Sequence, residues 1–112
     1  MSIELLDRPT TTPSPVLGLE NEWPSTVWVI KFADGRFACY FFGDLQLNGM
    51  CAFESEAAGY RFAEFIDARG CEALEVSFDE ALDLAKARPP HVTCLMLVDN
   101  FPNNPRLIQH VR

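Results

Sequence analysis

The sequence predicts an α/β domain of the α+β kind: a mixed, mainly antiparallel sheet with two helices on one face, in the order β-β-(β)-α-β-α-β-β. Three observations predict it. Two β-branched and aromatic runs flank Asp34-Gly35, as in a hairpin. Two helical patterns headed by Ser55 and Ser77 enclose a stretch of strand-like alternation. Val92-Thr93-Cys94-Leu95-Met96-Leu97-Val98 is apolar almost without interruption, as in a central strand covered on both faces.

Composition allows such a domain to stand alone. A chain of 112 residues, 48% hydrophobic and with nine Phe, removes enough surface from water to fold without disulfide or metal staples. No apolar run approaches the length needed to span a bilayer, and Met1–Asp7 lacks the basic and apolar regions of a signal peptide, so the expected location is cytoplasmic.

Residues 1–26 carry Pro9, Pro13, Pro15 and Pro24 among Ser and Thr, which predicts an extended leader ahead of a single domain at 27–112. The Val16-Leu17-Gly18-Leu19 patch of that leader is a candidate cover for the hairpin. In the hairpin itself, Val27–Phe42, a two-residue turn at Asp34-Gly35 sets Phe32 against Phe37. That register puts Trp28, Ile30, Phe32, Phe37, Cys39 and Phe41 on one face. Val27, Val29, Lys31, Ala38, Tyr40 and Phe42 fall on the other, so both faces ask for cover.

Gly43–Gly49 reads as a turn-rich connection and Met50–Phe53 as a short third strand. Ser55 serves as N-cap of a helix running to about Arg69, with Ala58, Phe62, Phe65 and Ile66 on its apolar stripe and Gly70 as its stop. Cys71–Ser77 alternates as a half-buried strand. Ser77-Phe78-Asp79-Glu80 is a capping box, and the helix it opens buries Phe78, Ala81, Leu82 and Ala85 before Pro89-Pro90. After Val98, Asp99–Pro105 forms a turn and Arg106–Val111 a returning strand.

Charge is unevenly spread. Nine acids face only Arg61 and Arg69 between Glu54 and Asp83, so that segment carries the whole net charge of −7 and the remaining chain balances. Such a field repels phosphate backbones, which excludes nucleic acid as the expected partner. It reads either as a solvated face or as a surface that steers a basic partner.

Phe53-Glu54-Ser55-Glu56-Ala57-Ala58 at a helix start, then Glu75-Val76-Ser77-Phe78-Asp79-Glu80-Ala81-Leu82, then an apolar strand, resembles the N-terminal domain of SseB-like proteins over residues 53–98. The family pattern ends that strand in Asn-Pro-Gly, whereas here Asp99-Asn100 follows it and Asn104-Pro105 comes later. The resemblance implies an accessory or interaction role without catalysis, and it transfers no functional residue.

Candidate chemistry is sparse. The four cysteines, at 39, 51, 71 and 94, show neither zinc-ligand nor disulfide-scaffold spacing and read as buried thiols. Cys94 with His110 and Asp99 is the one nucleophile arrangement worth weighing, but a thiol within so apolar a strand is expected to be inert. His91 and His110 match no metal template, Asp99, Asn100, Asn103 and Asn104 lack the spacing of a calcium loop, and no glycine pattern cradles a phosphate. No cofactor is expected.

The surplus of aromatics, Trp23, Trp28, Tyr40, Phe41, Phe42 and Phe101, reads either as a well-filled core or as an exposed face. The leading expectation is a non-catalytic interaction module that binds a protein partner or pairs as a homodimer through Trp28, Val29, Tyr40 and Phe42. The alternative is a small-molecule site, or a minor enzyme, with a pocket at the strand ends near Asp44, Asp99 and Asn100.

Overall fold

A computed structural model describes residues 22–112. Six strands and two helices follow one another as β1 (Thr26–Lys31), β2 (Cys39–Phe42), β3 (Leu47–Ala52), α1 (Glu56–Phe65), β4 (Glu72–Ser77), α2 (Phe78–Lys86), β5 (Cys94–Leu97) and β6 (Leu107–His110). The fold is α+β. β1 pairs antiparallel with β4, and a four-stranded sheet runs β2-β3-β5-β6 with only the β3–β5 pair parallel. The two sheets are joined where Trp28 and Phe53 exchange backbone hydrogen bonds of 2.8 Å each way. Ala38 adds a second link, donating to Ile30 O and accepting from Cys51 N. The Val16–Leu19 patch lies outside the described residues, as does most of the predicted leader. Trp23, within the leader's span, is buried against Phe78 with ring centroids 5.1 Å apart.

The hairpin forms with a different turn. Gly35 alone takes a positive φ, +89°, while its N–H donates to Phe32 O and Phe32 N–H donates to Arg36 O. This is a three-residue loop, a type I turn closed by a glycine bulge, and it adds one residue to the predicted connection. Asp34 supports it by accepting from Arg36 N at 3.0 Å and Arg36 Nε at 2.7 Å. Lys31, not Phe32, therefore stands opposite Phe37. A slip of one residue exchanges the faces: Phe37 and Cys39 pack with Val27 and Val29, while Tyr40 and Phe42 pack with Trp28, Ile30 and Phe32.

The third strand starts at Leu47, inside the predicted turn connection. Gly49 pairs with Cys94 there, and its missing side chain admits the Met96 and Cys94 side chains of β5.

Every residue of β5 is buried, and it divides the core in two. Leu95 and Leu97 join Val27, Val29, Met50 and Ala52 under Phe78, Ala81 and Ala85 of α2. Cys94 and Met96 join Ile30, Cys51 and Phe53 with Ala58 and Phe62 of α1. Alternate residues of a strand point to opposite faces, so the helices lie one on each side of the sheet instead of sharing one face. An uninterrupted apolar central strand requires cover on both faces, and one helix on each supplies it.

Both N-caps form: the Ser55 hydroxyl accepts from Ala58 N at 3.1 Å and the Ser77 hydroxyl from Glu80 N at 3.0 Å, although the reciprocal bond from Ser77 N–H to the Glu80 carboxylate that completes a capping box does not form among the described residues. α1 ends four residues earlier than Arg69. Asp67 takes the left-handed conformation, φ 57°, with Ala68 N–H on Ala63 O and Asp67 N–H on Glu64 O, a Schellman stop that precedes Gly70.

The last turn of α2 is held by a residue from the far end of the chain. Arg112 donates from Nε to Val92 O (2.7 Å), from Nη1 to Lys86 O (3.2 Å) and from Nη2 to Arg88 O (2.7 Å). A cation that satisfies orphan carbonyls at a helix C-terminus is stabilising. Arg112→Ala is expected to cost about 1–2 kcal/mol, read as a lower urea midpoint. Arg112→Lys should recover only part of that loss, because one ammonium cannot span the same carbonyls.

Candidate functional site

A cleft of about 310 Å³ opens beyond the C-terminal end of β5. α1 supplies Ala58, Arg61 and Phe62, the end of β3 supplies Phe53, and the loop from Asp99 to Asn103 closes the other side. Its placement follows from local chemistry. The Ser55 cap starts α1 immediately after Phe53, and the Asn- and Pro-rich run after Val98 cannot continue the strand, so it turns over the same edge.

Phe101 anchors the loop. Its ring meets those of Phe62, Phe65 and Tyr40 nearly at right angles, with centroids 4.7, 4.7 and 4.8 Å away. Edge-to-face packing of this kind adds to the area each ring buries. Phe65, on the outer side of Phe101, is 60% exposed although the sequence placed it on the buried stripe of the helix. The helix buries Ala58, Gly59, Phe62 and Ala63 instead, an arc whose margin Phe65 occupies.

Polar groups fix the base of the loop. Asp99 Oδ2 accepts from Arg106 Nε, and Arg106 also reaches Glu54 Oε1 at 2.9 Å. Burial works against the charge on Arg106, but the bond to Asp99, the attraction of that carboxylate and the further pull of Glu54 outweigh it, and the guanidinium is held above its ordinary range. The second oxygen, Asp99 Oδ1, is buried with no hydrogen-bond partner among the described residues. Arg61 has no ion-pair partner among the described residues, and it too lines the cleft.

The structure brings together two of the three residues of the predicted pocket. Asp99 and Asn100 line the cleft, whereas Asp44 sits in the turn ahead of β3, at the opposite end of that strand from Phe53. The predicted sheet-face interface is not open. Val29 is 0% and Phe42 4% exposed, in different core clusters, and Trp28 and Tyr40 are partly buried in the second. The reason is the one-residue slip of the hairpin, together with cover from α2 over Val29 and from α1 and Phe101 over Trp28, Tyr40 and Phe42. The side chains left in water are others: Phe41, Tyr60 and Phe65. No local pattern marks Phe65 as exposed; Phe101 packs against one side of its ring and the rest stays in water.

The considered nucleophile group is not assembled. Cys94 stands opposite His110 in the ladder, but His110 is exposed and Asp99 lies beyond the other end of β5. Burial pushes the Cys94 thiol up to about 12 and the Cys51 thiol well above its usual range. Both thiols should therefore stay unreactive toward Ellman's reagent near pH 8 until denaturant is added, whereas the partly exposed Cys71 should react first and Cys39, whose thiol burial also raises, more slowly. The same shift predicts a pH effect. The folded state keeps the Cys94 proton that the unfolded chain releases, so this contribution is intact below about pH 9 and is lost as pH rises toward 12. Urea midpoints should fall across that window, and less steeply in Cys94→Ala.

Among the described residues no three of His, Cys, Asp or Glu are grouped as metal ligands, and no helix is long and apolar enough to cross a membrane. No protein-family model, curated protein or solved structure matches the chain.

Proposed function

We propose that this chain is a non-catalytic, cytoplasmic interaction module that binds a protein partner by taking an apolar side chain into the cleft between α1 and the 99–103 loop. One observation carries the reading: a cleft of about 310 Å³ walled by Phe53, Phe62 and Phe101 stands beside a phenylalanine, Phe65, that remains 60% in water. Apolar surface next to a pocket with a polar rim is the composition of a docking site. Arg61, Asn100 and Asn103 provide that rim. The burial of Cys94 and its separation from Asp99 favour binding over turnover. The SseB-like cadence of residues 53–98 implies the same kind of role.

Selection of a random-peptide display library on the folded chain tests this. Enriched peptides should share an aromatic or aliphatic anchor and lose at least about tenfold in affinity on Phe65→Ser. Loss of the Phe65–Phe101 ring contact should lower the thermal midpoint only slightly, so affinities are compared well below it, where both chains are folded. Failure to enrich any peptide, or equal binding by Phe65→Ser, removes the proposal.

The buried, unpartnered Asp99 Oδ1 favours a second reading, a small molecule at the same place that donates a hydrogen bond. Fragment screening by NMR separates the two: a fragment that saturates in the cleft while no peptide enriches supports the small molecule.

A further inference from the structure

The open side of β4 is a second surface, away from the cleft, with a chemistry of its own. β4 pairs only with β1, so one of its edges has no strand beside it among the described residues. The phase of the ladder says which groups face that edge. Phe78 N–H donates to Ser25 O at 2.9 Å, which makes the pairs Val27–Val76, Val29–Leu74 and Lys31–Glu72 the hydrogen-bonded ones. Trp28, in the alternate set, turns away from β4 to bond Phe53, and Ile30 O turns away to Ala38 N. By the same alternation Ala73, Glu75 and Ser77 direct their peptide groups outward from β1. Ala73 N–H indeed points that way, donating to the Tyr60 hydroxyl at 3.1 Å. Ser77 is committed as the N-cap of α2. What faces the open edge is the C=O of Ala73 and both the N–H and C=O of Glu75.

Acids dominate the surroundings of the edge, with Lys31 opposite Glu72 on the inner strand the one base in the ladder. Glu72 and Glu75 are exposed on the strand, Asp79 and Glu80 are exposed in the first turn of α2, and Glu56 and Glu64 are exposed on α1. Charges on edge strands guard against self-association, because a second copy brings acid against acid. An edge guarded in this way still attracts a strand of opposite sign.

We propose that the open edge of β4 receives an extended segment rich in lysine or arginine from a protein partner, added as a further strand. The backbone of the incoming segment pairs with Glu75, and its basic side chains meet Glu75 on one face of the ribbon or Glu72 on the other, according to which of its faces carries them.

The test uses the full chain and three synthetic peptides: alternating Thr and Lys, the same peptide N-methylated at every residue so that neither backbone edge can pair, and alternating Thr and Glu. The Thr-Lys peptide should bind, shift the amide resonances of 72–77, slow hydrogen exchange at the Glu75 amide by at least about tenfold, and weaken as salt is raised. The N-methylated and Thr-Glu peptides should bind at least about tenfold less tightly. Glu75→Pro removes an N–H that the β1 ladder does not use, which an edge strand tolerates, and should abolish binding. Glu75→Lys, which keeps the backbone intact, should weaken it. Equal binding of the N-methylated peptide would show attraction by charge without strand addition and overturn the proposal. So would shifts centred on the cleft, or the absence of binding at millimolar peptide.

Discussion

Gly49→Ala is expected to lower the stability of this chain by about 3 kcal/mol, the upper end of what overpacking a core usually costs. The added Cβ would lie 2.7 Å from Met96 Cγ, 2.8 Å from Cys94 Sγ and 2.9 Å from Cys94 O. Two of these neighbours belong to side chains, and Met96 is flexible enough to give way. The third cannot. Cys94 O is backbone in the middle of the sheet, and moving it disturbs the β3–β5 ladder in which Gly49 and Cys94 are partners. A urea titration measures the effect. Removing bulk from Met96 in the same chain should rescue only part of it, since the clash with the carbonyl remains, and a loss below about 0.5 kcal/mol would mean the strands are not packed this closely.

Phe62→Ala should cost as much or more, about 3–5 kcal/mol, from lost transfer free energy and the cavity left behind. Phe62 is fully buried at the junction of α1, the end of β3 and the Asp99–Asn103 loop, with its ring 5.3 Å from that of Phe53 and 4.7 Å from that of Phe101. The site has little means of collapse, because Phe53 is pinned by its two backbone bonds to Trp28. Loss of the ring also frees one wall of the cleft. Hydrogen exchange in 99–103 should therefore rise along with the fall in stability, and Phe62→Leu should moderate both.

Much of the fold is legible in the chain because its signals are local. Ser55 and Ser77 announce helix starts that need only the next three residues to be recognised, and the uninterrupted run around Cys94–Leu97 announces the central strand. What is not legible turns on choices that local pattern leaves open. Asp34-Gly35 suits either a two-residue turn or a type I turn with a glycine bulge, and that single extra residue moves every side chain of the returning strand to the other face relative to Val27–Phe32. Gly49 reads as a turn residue until the approach of β5 is known. The site is legible only in part. Asp99 and Asn100 follow from the rule that ligands gather at strand ends, but Phe62 and Phe65 join them through ring contacts with Phe101 that no spacing within α1 records, and Arg61 comes with the same helix.

The parallel pairing of β3 with β5 governs how the chain can reach this state. α1, β4 and α2 all lie between the two strands in the chain, so the pairing closes a long loop and must wait for that entropy to be offset. The β2–β3 and β5–β6 hairpins are local and can form first. Refolding should then be limited by their docking, with an apolar β5 transiently uncovered, and dilution should favour recovery over aggregation.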